Sequence, residues 1–212
     1  MAAIVKIITA SADKPVTSTE AKMQCRITST DFDTLFTRLI AESTGEAESE
    51  TSRALYTQTL ELQLDKWPND SHMPAMERYA IIVPRPPIQS ITSVKYDDVD
   101  GVETTLVSGT DYDVQLADPR TRITPCEGTT WPATAANPGC IRVRYVAGYG
   151  TETANNPDFH AIRGGILMRI ASKFRNPTDE VTGSIVSGFD LGSTRVFQRF
   201  AVSRFGYEFT EN

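Results

Sequence analysis

Apolar positions along the chain follow two periods, and the change between them divides it. Behind Ser29-Thr30-Asp31, the residues Phe32, Leu35, Phe36, Leu39 and Ile40 recur at the three-and-four spacing of one helix face. Such a stripe must pack on something, and Ser29-Thr30-Asp31 reads as its cap. Upstream, Thr17-Ser18-Thr19-Glu20 has the form of a capping box, in which Thr17 caps the helix and Glu20 answers the N–H of the cap. A short helix is therefore expected over 16–26, with Ala21 and Cys25 on one face. Beyond Ala41 the stripe fades into Glu42, Glu46, Glu48 and Glu50, and Gly45 weakens a helix by about 1 kcal/mol relative to alanine. Two readings stand: a helix reaching about Ser52 with a solvated acidic face, or one that frays.

From Thr57 the period becomes two. In Thr57–Asp65, Leu60, Leu62 and Leu64 alternate with Thr59, Glu61 and Gln63, the pattern of a half-buried strand. Trp67 to Ser71 is turn chemistry, and 73–76 a loop. Ile81–Val83 and Ile91–Tyr96 flank the elbow Pro84-Arg85-Pro86-Pro87. Proline donates no backbone hydrogen bond, so the elbow separates two strands or lies at a sheet edge. Further short strands are expected at Glu103–Val107, Asp111–Leu116, Arg122–Thr124 and Cys140–Val146, split by Gly/Pro turns. That spacing predicts a small antiparallel sheet or barrel. Before all of this, Ile4–Ile8 reads as a short strand or an extended arm.

The helical period returns at Asn156-Pro157, an asparagine cap with proline at the first helical position. Phe159, Ile162, Ile166, Ile170 and Phe174 then form one buried face, and Asn176-Pro177 ends it. Gly164-Gly165 inside a helix is unfavourable by propensity and points to a close helix–helix approach. The Gly/Ser/Thr-rich stretch from Val181 to Ser193 reads as an arm, flexible or ordered by a partner. After it come Arg195, Phe197, Arg199, Phe200, Arg204, Phe205, Tyr207 and Phe209, which neither period sorts onto one face. These aromatics need burial, in the protein's own core or against a neighbour. Arginine with aromatics is the composition of interface anchors, which makes this the candidate partner surface.

Composition narrows the function. At 212 residues the chain is one large domain or two small ones, and burial of roughly 70 % of the unfolded surface suffices without staples. The net charge of −6 argues against a generic duplex-binding surface, though not against a wall past which DNA slides. An Arg/aromatic tail that stacks single-stranded nucleic acid is a minority reading in so acidic a chain. Cys25, Cys126 and Cys140 have no zinc spacing and read as reduced thiols; sequence leaves open whether Cys126 and Cys140 meet. No metal or cofactor is expected. No apolar run approaches the roughly 18 residues of a membrane span, and the N-terminus lacks the charged start and long apolar core of a signal peptide. Nucleophile elbows, phosphate loops and dinucleotide fingerprints are missing. His72 beside Asp70 and His160 on the late helix are the available bases, and neither forms a convincing catalytic pair.

Laid in order, the segments VTSTEAK, TDFDTLFTRLI, SRALYTQTLELQLD, IIVPRPPIQSITSVKYDDVDG, DYDVQL, TTWPAT, IRVRYVAGYG and NPDFHAIRGGIL form a series. Over roughly 16–176 this series resembles the head–tail connector proteins (adaptor, or head completion) of tailed bacteriophages. Its most specific parts are the Pro84–Pro87 elbow with the following strand and the Val-Ala-Gly-Tyr-Gly end of the β region. The departure is Glu42–Ser52, where related sequences carry larger apolar residues. The resemblance implies an α+β fold: a small helical bundle of the early helices (16–55) and the late one (156–176), with an inserted antiparallel β-domain (56–150). Residues 1–15 would be an arm or strand and 177–212 an extended C-terminal arm. Phe32, Leu35, Phe36, Leu39, Ile40, Ile162, Ile166 and Ile170 would form the bundle core, and the elbow would stiffen the insert. It further implies a non-enzymatic virion protein, assembled in the bacterial cytoplasm into a dodecameric ring below the portal. The ring would complete the DNA-filled head, let DNA pass and present a surface to the next neck or tail protein. A stopper or tail-completion protein out of contact with the portal is the alternative.

Overall fold

A computed structural model describes residues 2–69, 78–150, 156–176, 192–202 and 208–209. The chain forms two compact units: one of 12–56 with 151–202, the other of 1–11, 57–150 and 203–212.

The first unit is helical. Helix α1 (Ser18–Cys25) opens on the expected capping box: Thr17 Oγ1 accepts from Glu20 N–H at 3.3 Å, and Glu20 Oε2 accepts from Thr17 N–H at 3.0 Å. It ends at Arg26 in the left-handed region, φ 59°. Helix α2 (Asp33–Thr51) starts one residue later than expected, with Phe32 at the cap position and no side-chain cap. Ser29 and Asp31 do not cap it because they bond each other: Ser29 Oγ donates to Asp31 Oδ2 at 2.6 Å and accepts from Asp31 N–H at 3.2 Å.

The acidic part of α2 does not fray: the helix reaches Thr51 with Ser52 at its C-cap, as the first reading has it, but its acidic face is not merely solvated. The buried stripe continues past Ile40 through Ser43, Ala47 and Thr51, small residues that the apolar pattern does not reveal. Its carboxylates are engaged by helix α3 (Pro157–Arg175). Lys173 Nζ bonds Glu46 Oε1 at 2.5 Å and lies 3.6 Å from Glu42, while Arg169 Nη1 reaches Glu46 at 2.8 Å and Glu50 at 3.0 Å. Asn156 caps α3, accepting from Asp158 and Phe159 N–H at 3.0 and 3.1 Å.

Phe36, Leu39 and Ile40 are buried with Ile162, Ile166 and Ile170, whereas Leu35 is half-buried. Phe32 stays 39 % exposed but meets Phe174 edge-on at 5.7 Å, and Phe36 stacks on Phe174 at 5.1 Å. The expectation of an unsorted C-terminal arm fails over 192–200, which is helix α4 (Gly192–Phe200). Two positions four apart, Ser193 and Phe197, supply its buried side. Residues 177–191 lie outside the described residues.

The second unit is β. Strands β1 (Ala2–Thr9), β2 (Gln58–Leu64), β4 (Ile88–Asp97), β5 (Glu103–Leu106), β8 (Ile141–Ala147) and β9 (Glu208–Phe209) form a six-stranded sheet ordered β5-β4-β8-β2-β1-β9. Every pairing is antiparallel except β1 with β9, which joins Ala2 and Ala3 to Glu208 and Phe209 in parallel. Strands β3 (Ile81–Ile82), β7 (Arg122–Pro125) and β6 (Tyr112–Gln115) form a three-stranded antiparallel sheet.

The period of two is obeyed closely: Leu60, Leu62, Leu64, Ile141, Val143, Tyr145 and Val94 are fully buried. Their registered partners show why, since Leu60 lies opposite Tyr145, Leu62 opposite Val143 and Leu64 opposite Ile141. Ile4–Ile8 is strand, not free arm. The elbow carries the chain from β3 in the small sheet to β4 in the large one. Arg85 adopts φ 57° there, and Pro87 O accepts from Gly148 N–H at 2.8 Å.

Candidate assembly surfaces

The C-terminal aromatics separate into distinct environments. Phe197 is fully buried, its ring lying against Gly165 of α3. Arg169 ties the same place together. Its Nε donates to Ser193 Oγ at 2.9 Å and its Nη2 to Thr194 Oγ1 at 3.0 Å, and its guanidinium lies 5.3 Å from the Phe197 ring centre. With the bonds to Glu46 and Glu50, one buried arginine joins α2, α3 and α4. Burial raises the pKa of Glu46, but hydrogen bonds from Lys173 and Arg169 outweigh it and leave the carboxyl below its ordinary value.

The far end of α4 is also fastened. Phe200 O accepts from Arg53 Nε at 3.0 Å, and Val202 N–H donates to Thr51 O at 2.9 Å. What α4 turns outward is Arg195, Gln198 and Arg199, all exposed, with Phe200 half-buried. Arg199 lies over the Phe200 ring at 5.6 Å. Of the expected partner residues, then, Arg195 and Arg199 are on the surface and Phe197 is in the core. Arg204, Phe205 and Tyr207 lie outside the described residues, and Phe209 is placed only as backbone of β9.

The elbow is less open: Pro86 is buried, and Pro84, Arg85 and Pro87 are half-buried. It carries the chain from one sheet to the other and offers little surface.

The polar face of the large sheet carries a charge network that sequence reasoning left unassembled. Arg142 reaches Asp97 through Nη1 at 3.1 Å and Nη2 at 2.5 Å, and Glu103 at 2.9 Å. Lys95 bonds Glu103 at 2.7 Å, and Arg144 bonds Glu61 at 2.6 Å. Glu61, Ser93, Lys95, Glu103, Arg142 and Arg144 line a cleft of about 140 Å³. Hydrogen bonding from Arg142 holds the Asp97 carboxyl below its ordinary value, and Lys95 does the same for Glu103. For Glu61, burial raises the pKa, but Arg144 and Gln63 more than reverse it. Counting Asp97, three cations meet three carboxylates in this network, and Glu103 at its end keeps a 48 % exposed side chain.

His160 is exposed on α3 beside Phe159, and His72 lies outside the described residues. Cys25, Cys126 and Cys140 are free thiols, with Cys140 buried. No group of three or more metal-ligating side chains occurs among the described residues, and no described helix is long and apolar enough to cross a membrane.

No protein-family model and no curated protein matches the chain. Solved structures do match in fold. A chain of the virion of a native gene transfer agent particle aligns at TM-score 0.70 and 17 % identity, covering 94 % of this chain and 96 % of that one. A chain from the neck of an empty gene transfer agent particle, computed with C6 symmetry, gives 0.70 and 18 % over the same shares. One from the neck of the native particle, computed with C12 symmetry, gives 0.63 and 17 %. At these identities the likeness establishes a shared α+β fold across nearly the whole length of both chains.

Proposed function

We propose that this chain is a structural subunit of the neck of a phage-like particle, a head–tail adaptor that forms a ring, of twelve copies in our reading, below the portal. The observation that carries the proposal is the end-to-end fold likeness to chains of gene transfer agent virions and necks, one of them computed with C12 symmetry. The resemblance of the ordered sequence series to phage head–tail connectors agrees with it. Closed rings arise when each subunit buries one surface against a different surface of the next. In this role the chain catalyses nothing, and its side-chain networks serve assembly and stability. The net charge of −6 suits a channel past which the genome moves without adhering.

The portal contact is assigned to the outer side of α4, Arg195 and Arg199, together with the C-terminal residues that follow. Arginine is enriched among interface anchors, and here the two side chains project from a helix fastened at both ends. The downstream neck or tail protein binds elsewhere on the ring.

The test is copurification of the portal protein of the same particle with the wild-type chain and with the Arg195→Glu, Arg199→Glu double variant. Capture by the wild type and its loss in a folded variant support the assignment. Equal capture removes α4 from the contact. No capture by either chain favours a stopper or tail-completion protein.

A further inference from the structure

We propose that the large sheet continues from one copy into the next, with β1 of one subunit pairing with β5 of its neighbour; this rests on the ring reading above. The first support is backbone. In the order β5-β4-β8-β2-β1-β9, the strand β5 is one edge, and its outer side has no strand partner among the described residues. At the other edge β9 covers only Ala2 and Ala3 of β1. The rest of β1 has no outer partner among the described residues. An uncovered edge of this kind is a template for an added strand.

The second support is apolar exposure at the same place. Ile7 is 52 % and Ile8 44 % exposed. Both belong to the part of β1 that β9 leaves uncovered, and a four-residue strand laid there would cover them.

The third support is charge, and it selects the occupant. On the polar face, Lys6 is registered opposite Glu61, Glu61 opposite Arg144, and Lys95 opposite Arg142. The side chains link on from Arg142 and Lys95 to Glu103. This face therefore begins at the β1 edge with an exposed lysine and finishes at the β5 edge with an exposed glutamate, which also accepts from Lys95 and Arg142 of its own subunit. Lys6 has no ion-pair partner among the described residues. The two edges of one subunit are complementary in sign, as edges that meet head to tail must be, and opposite charges on adjacent strands favour pairing.

The direction also fits. Successive antiparallel steps from β5 through β4, β8 and β2 make β1 run the same way as β5. A neighbour in the same orientation presents β5 parallel to β1, with Lys6 opposite Glu103 and Ile7 opposite Thr104.

The test uses particles assembled with variant chains. Lys6→Cys with Glu103→Cys, and separately Ile7→Cys with Thr104→Cys, are treated with a short bis-maleimide. Adjacent strands bring opposed Cα atoms to about 5 Å, within reach of the reagent even after a slip of one pair. A ladder of covalent multimers rising toward twelve subunits, absent from each single variant, is the expected result. Variant chain present in the particles with no ladder from either pair overturns the inference and leaves the ring reading standing. Absence of the wild-type chain from particles overturns both.

Discussion

The Phe197 ring fills the space that a side chain on Gly165 would need. A Cβ built at 165 would lie 2.7 Å from Phe197 Cε1 and 3.2 Å from Cζ, whereas one at the neighbouring Gly164 would meet nothing within 4 Å. Two adjacent glycines on one helix thus have opposite meanings.

Alanine scanning of the pair separates them. Gly164→Ala gains helix propensity and should stabilise the helical unit by up to about 1 kcal/mol. Gly165→Ala gains the same propensity but forces the Phe197 ring or α4 itself to move, and overpacking of a fitted core costs about 1–3 kcal/mol. Urea unfolding should move the midpoint up for the first and down for the second. Equal shifts would mean that α4 does not sit in this notch.

Arg169 joins three helices, so its loss should be felt beyond its own. Truncating one side of a buried ion pair costs about 3–5 kcal/mol. Here Glu46 and Glu50 are about a third exposed (38 % and 32 %) and water screens them. Arg169→Ala is expected to cost about 2–3 kcal/mol in chemical unfolding. Hydrogen exchange should show α4 amides losing protection before those of α1. Unchanged protection of α4 would contradict the arginine's place as its tether.

Glu20 gives the helical unit an acid limit. The Thr17 backbone N–H, then Arg163, hold its carboxyl down from 4.5 to about 2. A depressed folded-state value means that its contribution is complete above the unfolded value and is lost as pH falls through the folded one. Thermal unfolding from pH 5 to pH 2 should therefore show a stability loss that Glu20→Gln reduces. The variant should be less stable than wild type at pH 6 and closer to it at pH 2. A constant difference across that range would rule out the linkage.

The deletion that suits an arm does not suit a docked helix. Removing 192–212 takes Phe197 from the core and leaves Arg169 without Ser193 and Thr194. Such a truncation should lower the unfolding midpoint as well as abolish portal binding. The Arg195→Glu, Arg199→Glu variant, which keeps Phe197 and the Arg169 bonds, should lower the midpoint far less than the truncation does. A truncation with unchanged stability would contradict the packing of α4.

Much of this fold was legible where a pattern had one physical cause. Thr17 with Glu20, Asn156 with Pro157, and the Leu60-Leu62-Leu64 alternation each specify a local arrangement, and each is found. The Gly164-Gly165 pair announced a close approach but could not say which glycine or which ring. The acidic half of α2 was misread because its buried positions are Ser43, Ala47 and Thr51, which look polar or neutral in a sequence. Its glutamates looked solvated because their partners, Arg169 and Lys173, lie more than a hundred residues away. A separation of 83 residues likewise hid the pairing of Glu61 with Arg144, although both were placed on the outward side of their strands. Helix α4 was missed because two buried positions in nine residues give too little periodicity to recognise.

The central claim, a ring subunit joined to the portal, is tested most directly by imaging the neck of the assembled particle at a resolution that traces the chain. The account predicts twelve copies in a closed ring, with α4 and the C-terminal residues against the portal. A chain traced away from the portal, or outside the neck altogether, would contradict it.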